Sequence, residues 1–122
     1  MVLYNKAGDF LGIDQDVLTL MGFEDMEDFK LHVADFADCF VPRAGYIYKF
    51  EKFFWIDYLL HGGVPSKKAL LRLKSGKEIV VEVQINELFP LGKFENQEAL
   101  YGVNLSRLKE TPLPEEKVFI DA

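Results

Sequence analysis

Asp28, His32, Asp35 and Cys39 are the residues whose types and spacing come nearest to a metal site. They recur at steps of four, three and four, so on a helix they share one side. Carboxylate, imidazole and thiolate are the ligands that zinc and other transition ions take. A straight stripe of that length spreads over about 16 Å, at about 1.5 Å per residue. Only adjacent members could then share an ion. Glu24, Asp25, Glu27 and Asp38 make the whole stretch acidic. A solvated acidic face is the better expectation, with no metal.

Other chemistry is thinner. The chain has no Ser-His-Asp pattern, phosphate loop, nucleotide glycine fingerprint or metalloprotease motif. Two histidines and one cysteine leave few routes to acid–base work near neutral pH. An enzyme is not expected. Polar residues also recur at period two: Glu82, Gln84 and Asn86 on one run, Asn104 and Ser106 on another. Either set could hold a ligand if it faced inward. Ile79, Val81, Val83 and Ile85 make the better core face, which favours a solvated position for the polar set.

Elements must position these groups. Val2–Asn5 and Phe10–Ile13 read as strands joined by the turn Lys6-Ala7-Gly8-Asp9. Asp14 can cap a short helix with Val17, Leu18, Leu20 and Met21 on its apolar face, and Gly22 suits its end. Asp25 to Phe40 reads as a second helix, because Met26, Phe29, Val33, Phe36 and Phe40 recur at steps of three and four. That stripe is core, and Pro42 and Gly45 end it. Phe50 to His61 reads as an aromatic helix covered on several sides, stopped by Gly62, Gly63 and Pro65.

The firmest local signal is the pair of alternating runs that follows. Lys68–Leu73 and Glu78–Leu88 read as strands around the turn Lys74–Lys77. After a loop through Pro90, Gly92 and Asn96, a last strand runs from Glu98 to about Leu108. Tyr101, Val103 and Leu105 share one of its faces. The expected architecture is α+β: a five-stranded antiparallel sheet with helices packed on one face. One domain spans 1–108, and 109–122 is a linker or C-terminal tail with Pro112 and Pro114 in it.

The chain has 11 Phe, five Tyr and one Trp, enough to fill a core at this length. A net charge of −6 argues against nucleic acid, which needs a basic face, and against anionic membrane surfaces. No apolar run approaches the roughly 20 residues of a membrane span. A lone cysteine and no signal-like start give the expectation of a cytoplasmic protein.

Four stretches in this order resemble a PAS sensor domain over roughly Val2 to Leu108. They are the opening hairpin and helix ending Leu20-Met21-Gly22-Phe23, and the helix ending His61-Gly62-Gly63. The others are the hairpin Leu71-Arg72-Leu73-Lys74-Ser75-Gly76-Lys77-Glu78-Ile79-Val80-Val81, and Tyr101-Gly102-Val103-Asn104-Leu105-Ser106. The resemblance implies a pocket between sheet and helices, a haem, flavin, metabolite or empty interior, and frequent dimerisation. It makes Phe54, Tyr58, His61, Tyr101, Asn104 and Ser106 the candidates for ligand binding or signal coupling.

The same resemblance bears on cofactors. Haem-binding members take their proximal histidine from the helix matching that of His61. A solvent-facing histidine at a helix end is the plainer reading, and haem is not expected. Flavin photochemistry uses cysteine in an Asn-Cys-Arg-Phe-Leu context, and Asp38-Cys39-Phe40-Val41 does not match it. Flavin is not expected either, which leaves any cofactor unknown. Asn104-Leu105-Ser106 stands where the family carries an acidic residue that couples to an output helix. Asn104 cannot form that ion pair. Pro112 and Pro114 oppose a continuing helix. A start at the first strand is expected to leave no N-terminal helical extension.

The reading that follows is a cytoplasmic sensor holding a small molecule in an interior pocket and relaying its state through protein contacts. Its alternative is a ligand-free dimerisation or docking module with a filled core. A homodimer is expected, built on an apolar sheet face, a helix or the Val2–Tyr4 strand, with an effector protein as a further partner.

Overall fold

A computed structural model describes residues 1–50, 52–62, 67–89 and 99–113. Its elements are β1 (Val2–Asn5), β2 (Phe10–Ile13), α1 (Gln15–Met21), α2 (Met26–His32), α3 (Trp55–His61), β3 (Lys68–Arg72), β4 (Glu78–Leu88) and β5 (Leu100–Arg107). A 3₁₀ turn at Phe36–Cys39 lies between α2 and α3. The strands form one antiparallel sheet in the order β2-β1-β5-β4-β3. This is the expected α+β architecture, consistent with a PAS-like fold.

Side-chain alternation sets the two faces of the sheet. Val2 and Tyr4, Tyr101 and Val103, Val81 and Val83, and Ala69 and Leu71 all point to the inner face and are buried there. The register agrees, since Val2 faces Val103 and Ala69 faces Val81. The helices lay Leu18, Met21, Phe29, Trp55 and Ile56 on this face. Local signals act as read. Asp14 accepts a bond from the Val17 amide at 3.0 Å, and Gly22 ends α1 at φ +89°, where a side chain would be strained.

The stretch from Asp25 to Phe40 is not one helix. It breaks at Val33, whose backbone is extended. Asp35 then starts a new turn, accepting from the Ala37 amide at 3.1 Å, while Asp38 accepts from the Asp35 amide at 3.2 Å. Short acidic side chains offer backbone groups an alternative to helical bonds, and here two of them do so. The apolar stripe still points inward, because Phe29, Phe36 and Phe40 are buried.

The aromatic helix is also shorter than expected. It begins at Trp55, after an extended Phe54 that supplies no side-chain cap. The Phe50 and Tyr58 rings lie 4.7 Å apart. Residues eight apart in an α-helix are separated by about 12 Å along its axis, so this contact requires the chain to fold back. Nor is the helix covered on several sides, since Asp57, Tyr58, Leu60 and His61 are exposed.

A second apolar cluster sits on the outer face of the sheet. Leu70 and Val80 face each other across β3 and β4 and are covered by Val41, Tyr46 and Leu108. The covering segment clamps the outer edge of β3: the Val41 amide donates to the Leu70 carbonyl, and the Ile47 amide to the Lys68 carbonyl, both at 2.8 Å. Part of the presumed tail is fastened here. The Leu113 amide donates to the Tyr46 hydroxyl at 2.7 Å, and Glu110 pairs with Lys68 at 2.7 Å. Gly63, Pro65, Pro90, Gly92, Asn96, Glu98 and residues 114–122 lie outside the described residues.

Candidate functional site

The aromatic layer under α3 is built from the sheet outward. Tyr4, from β1, lies fully buried at its centre. Its ring meets Trp55 edge-on at 5.7 Å and Phe54 at 5.8 Å. Trp55 in turn meets Phe40 edge-on at 5.2 Å, and Phe40 meets Phe36 at 5.3 Å. Tilted and edge-to-face rings at these separations attract one another and fill space. They fill the space between sheet and helices around Tyr4, while a concavity of about 180 Å³ stays open between Leu59 and Leu60 of α3 and Val83 and Ile85 of β4.

One polar network crosses this layer. The Tyr4 hydroxyl donates to Asp35 Oδ1 at 2.5 Å and accepts from the Ala37 amide at 3.1 Å. Asp35 also pairs with Lys49 at 3.3 Å, and Lys49 with Asp38 at 2.9 Å. Burial, reinforced by the Asp35 carboxylate, pushes the Tyr4 phenol well above its ordinary value. The Trp55 indole N–H, also buried, approaches the Tyr4 hydroxyl without a well-aligned hydrogen bond. The network pins the 3₁₀ turn to β1.

The acidic stripe is thus corrected by its partners. Asp28 bonds Lys74 at 2.8 Å and the Glu24 amide at 3.0 Å, and both hold its carboxyl below the usual range. Asp35 is part of the Tyr4 network. Neither is simply solvated, and the broken helix sends them to different neighbours. Among the described residues, no group of three or more His, Cys, Asp or Glu side chains could hold a metal ion. Burial, with Asp38 and Asp35 adding to it, pushes the Cys39 thiol up to about 12. It stays protonated at neutral pH and is a poor nucleophile.

Three of the six candidate residues gather at one place. Phe54, Tyr58 and His61 line a shallow depression of about 600 Å³ along α3, together with Phe53 and Asp57. Tyr101 touches it from below: its ring meets Phe54 at 6.1 Å, and its hydroxyl reaches Asp57 Oδ1 at 3.4 Å. Lys6 Nζ stands 4.9 Å over the Tyr101 ring and pairs with Glu87 at 3.0 Å. His61 is the exposed last residue of α3. Asn104 and Ser106 are elsewhere. They lie opposite Gln84 and Glu82 on the outer face of the sheet, with Val103 and Leu105 pointing the other way into the core. The polar set from Glu82 to Asn86 is on that outer face too, as the alternation indicated.

Two residues that the sequence reading passed over dominate the surface here. Phe53 is 64% exposed and Leu60 is 40% exposed, beside Tyr58 at 40%. Phe53 belonged to the aromatic run, but no period in that run separates its buried rings from its exposed ones. The Val2–Tyr4 strand, by contrast, cannot supply a free edge. β1 is paired on both sides, to β2 and to β5. No helix among the described residues is long and apolar enough to cross a membrane.

Among the described residues, this arrangement pairs no nucleophile with a base. It offers aromatic faces, aliphatic surface and a few charges at the margin, which is the chemistry of a contact surface. No family model, curated protein or solved structure matches the chain.

Proposed function

We propose that the chain is a PAS-like, non-catalytic cytoplasmic module with a filled interior, and that its output is a protein–protein contact made by the exposed side of α3 and Phe53. The partner is a second copy of the chain. The observation that carries the reading is the contrast between inside and outside. Rings pack edge to face through the described interior, while Phe53, Tyr58 and Leu60 stand exposed on one short helix and its entry. Aromatic residues of this kind anchor interfaces, because each buries large area at low entropic cost. An interior sensor of small molecules is the weaker reading, because rings fill the space around Tyr4 and the concavity between α3 and β4 measures about 180 Å³, below the roughly 300–1,000 Å³ of ligand pockets.

The net charge of −6 makes two copies repel at a distance. The contact is therefore apolar at its centre and tightens as salt screens the repulsion. Light scattering and native mass spectrometry on one preparation test the reading. The expected result is a ligand-free dimer that becomes a folded monomer in the double variant Phe53→Ser/Tyr58→Ser. A monomer at both low and high salt overturns the self-contact. A bound mass lost on denaturation returns the interior-sensor reading.

A further inference from the structure

A second concavity lies away from α3, where the end of α2, the 3₁₀ turn and the β3–β4 turn converge. It has a volume of about 260 Å³ and includes Phe23, His32, Cys39, Arg72, Leu73 and Lys74 in its lining. Phe23 is a buried aromatic wall, meeting the His32 ring at 5.9 Å. Leu73 and the protonated Cys39 thiol continue the apolar surface. Cavities of about 150 Å³ are large enough for benzene, so this one accepts a single ring with a small substituent.

The charges around it are mostly committed. Lys74 bonds both oxygens of Asp28, at 2.8 and 3.0 Å. Asp38, which also borders the cleft, pairs with Lys49 at 2.9 Å. His32 Nδ1 sits 2.9 Å from the Asp28 carbonyl, which leaves Nε2 as its other polar atom. Arg72 differs. Its side chain is 58% exposed and meets Glu78 through one nitrogen at 3.4 Å, a long contact for an ion pair. A guanidinium has five N–H donors in a planar fork, so most of its bonding capacity remains open. That fork matches a carboxylate in two parallel bonds.

We propose that this cleft binds a small carboxylate with an apolar ring or short aliphatic body. The body lies against Phe23, Leu73 and Cys39, and the carboxylate pairs with Arg72. A second acidic group is disfavoured, because Asp28 and Asp38 stand beside the cleft and their cations are already paired. The site is separate from the α3 surface, so either can fail without the other. It would give a module with a filled interior a peripheral route to a small-molecule signal.

The probe is benzoate, followed by amide chemical shifts of the ¹⁵N-labelled chain, with benzyl alcohol as its uncharged counterpart. Benzoate is expected to give saturable shifts centred on Phe23, Cys39 and Leu73. Benzyl alcohol, and benzoate with the folded variant Arg72→Gln, are expected to bind at least about tenfold more weakly, since a charge-assisted fork is lost. Arg72→Lys keeps the charge but not the fork and falls between them. The proposal is overturned by unsaturable shifts spread over surface lysines, by equal binding of benzyl alcohol, or by unchanged affinity in Arg72→Gln.

Discussion

Replacing Tyr4 with Phe removes one oxygen from the centre of the fold and leaves the ring. The lost group donates to Asp35 at 2.5 Å and accepts from the Ala37 amide at 3.1 Å. Hydrogen bonds to a charged partner contribute about 1.5–3 kcal/mol. The partners are not orphaned, however: the Ala37 amide keeps Asp35 Oδ1 at 3.1 Å, and Asp35 keeps Lys49 at 3.3 Å. The expected loss at neutral pH is therefore about 2 kcal/mol, or roughly 5–10 °C in Tm for a domain of this size. The cost has a pH signature. The Tyr4 phenol titrates higher in the folded chain than in the unfolded one, through burial first and Asp35 second. Its stabilisation is complete below the unfolded value near pH 10. Above that, the unfolded chain releases a proton that the folded chain keeps, and stability falls by about 1.4 kcal/mol per pH unit. Tyr4→Phe lacks this loss, so its deficit against the parent narrows by about 1.4 kcal/mol by pH 11. Urea unfolding followed by circular dichroism at both pH values measures the gap. Equal stability at pH 7, or a gap that does not change with pH, refutes the reasoning.

Two further outcomes follow from contacts elsewhere. Leu70→Ala opens the outer cluster formed with Val41, Tyr46 and Val80 and is expected to cost about 2–3 kcal/mol, the low end for a buried leucine, because the covering segment can settle inward; a denaturation loss below about 1 kcal/mol would mean that the cluster is not closed. Asp28 is held below the usual carboxylate range by Lys74 and the Glu24 amide, so its contribution is present above the unfolded value near pH 4 and disappears as pH falls through the lower folded value. Asp28→Asn should therefore be less stable than the parent near neutral pH and match it in acid, and a difference persisting in acid would place the effect in packing instead.

Local chemistry by itself determined the strands and turns. The alternation from Glu78 to Leu88 identifies both the strand and its core face, because a strand's side chains have a period of two whatever lies beside it. Asp14 and Gly22 mark the ends of α1, because cap geometry involves only neighbouring backbone. The run from Asp25 to Phe40 was legible as core but not as two pieces. Its apolar period passes through Val33 unchanged, while the break depends on competing bonds made by Asp35 and Asp38. Tertiary structure alone decided which side of Phe50–His61 is wet. The eight apolar and aromatic residues of that stretch differ in exposure because β1 and β5 place Tyr4 and Tyr101 beneath Phe54 and Trp55, while Phe53, Tyr58 and Leu60 stay at least 40% exposed. It also decided the surroundings of Arg72, a charge at the end of β3. The cleft beside it exists only where the stretch from Phe23 to Cys39 meets the distant β3–β4 turn, and no local period encodes that meeting.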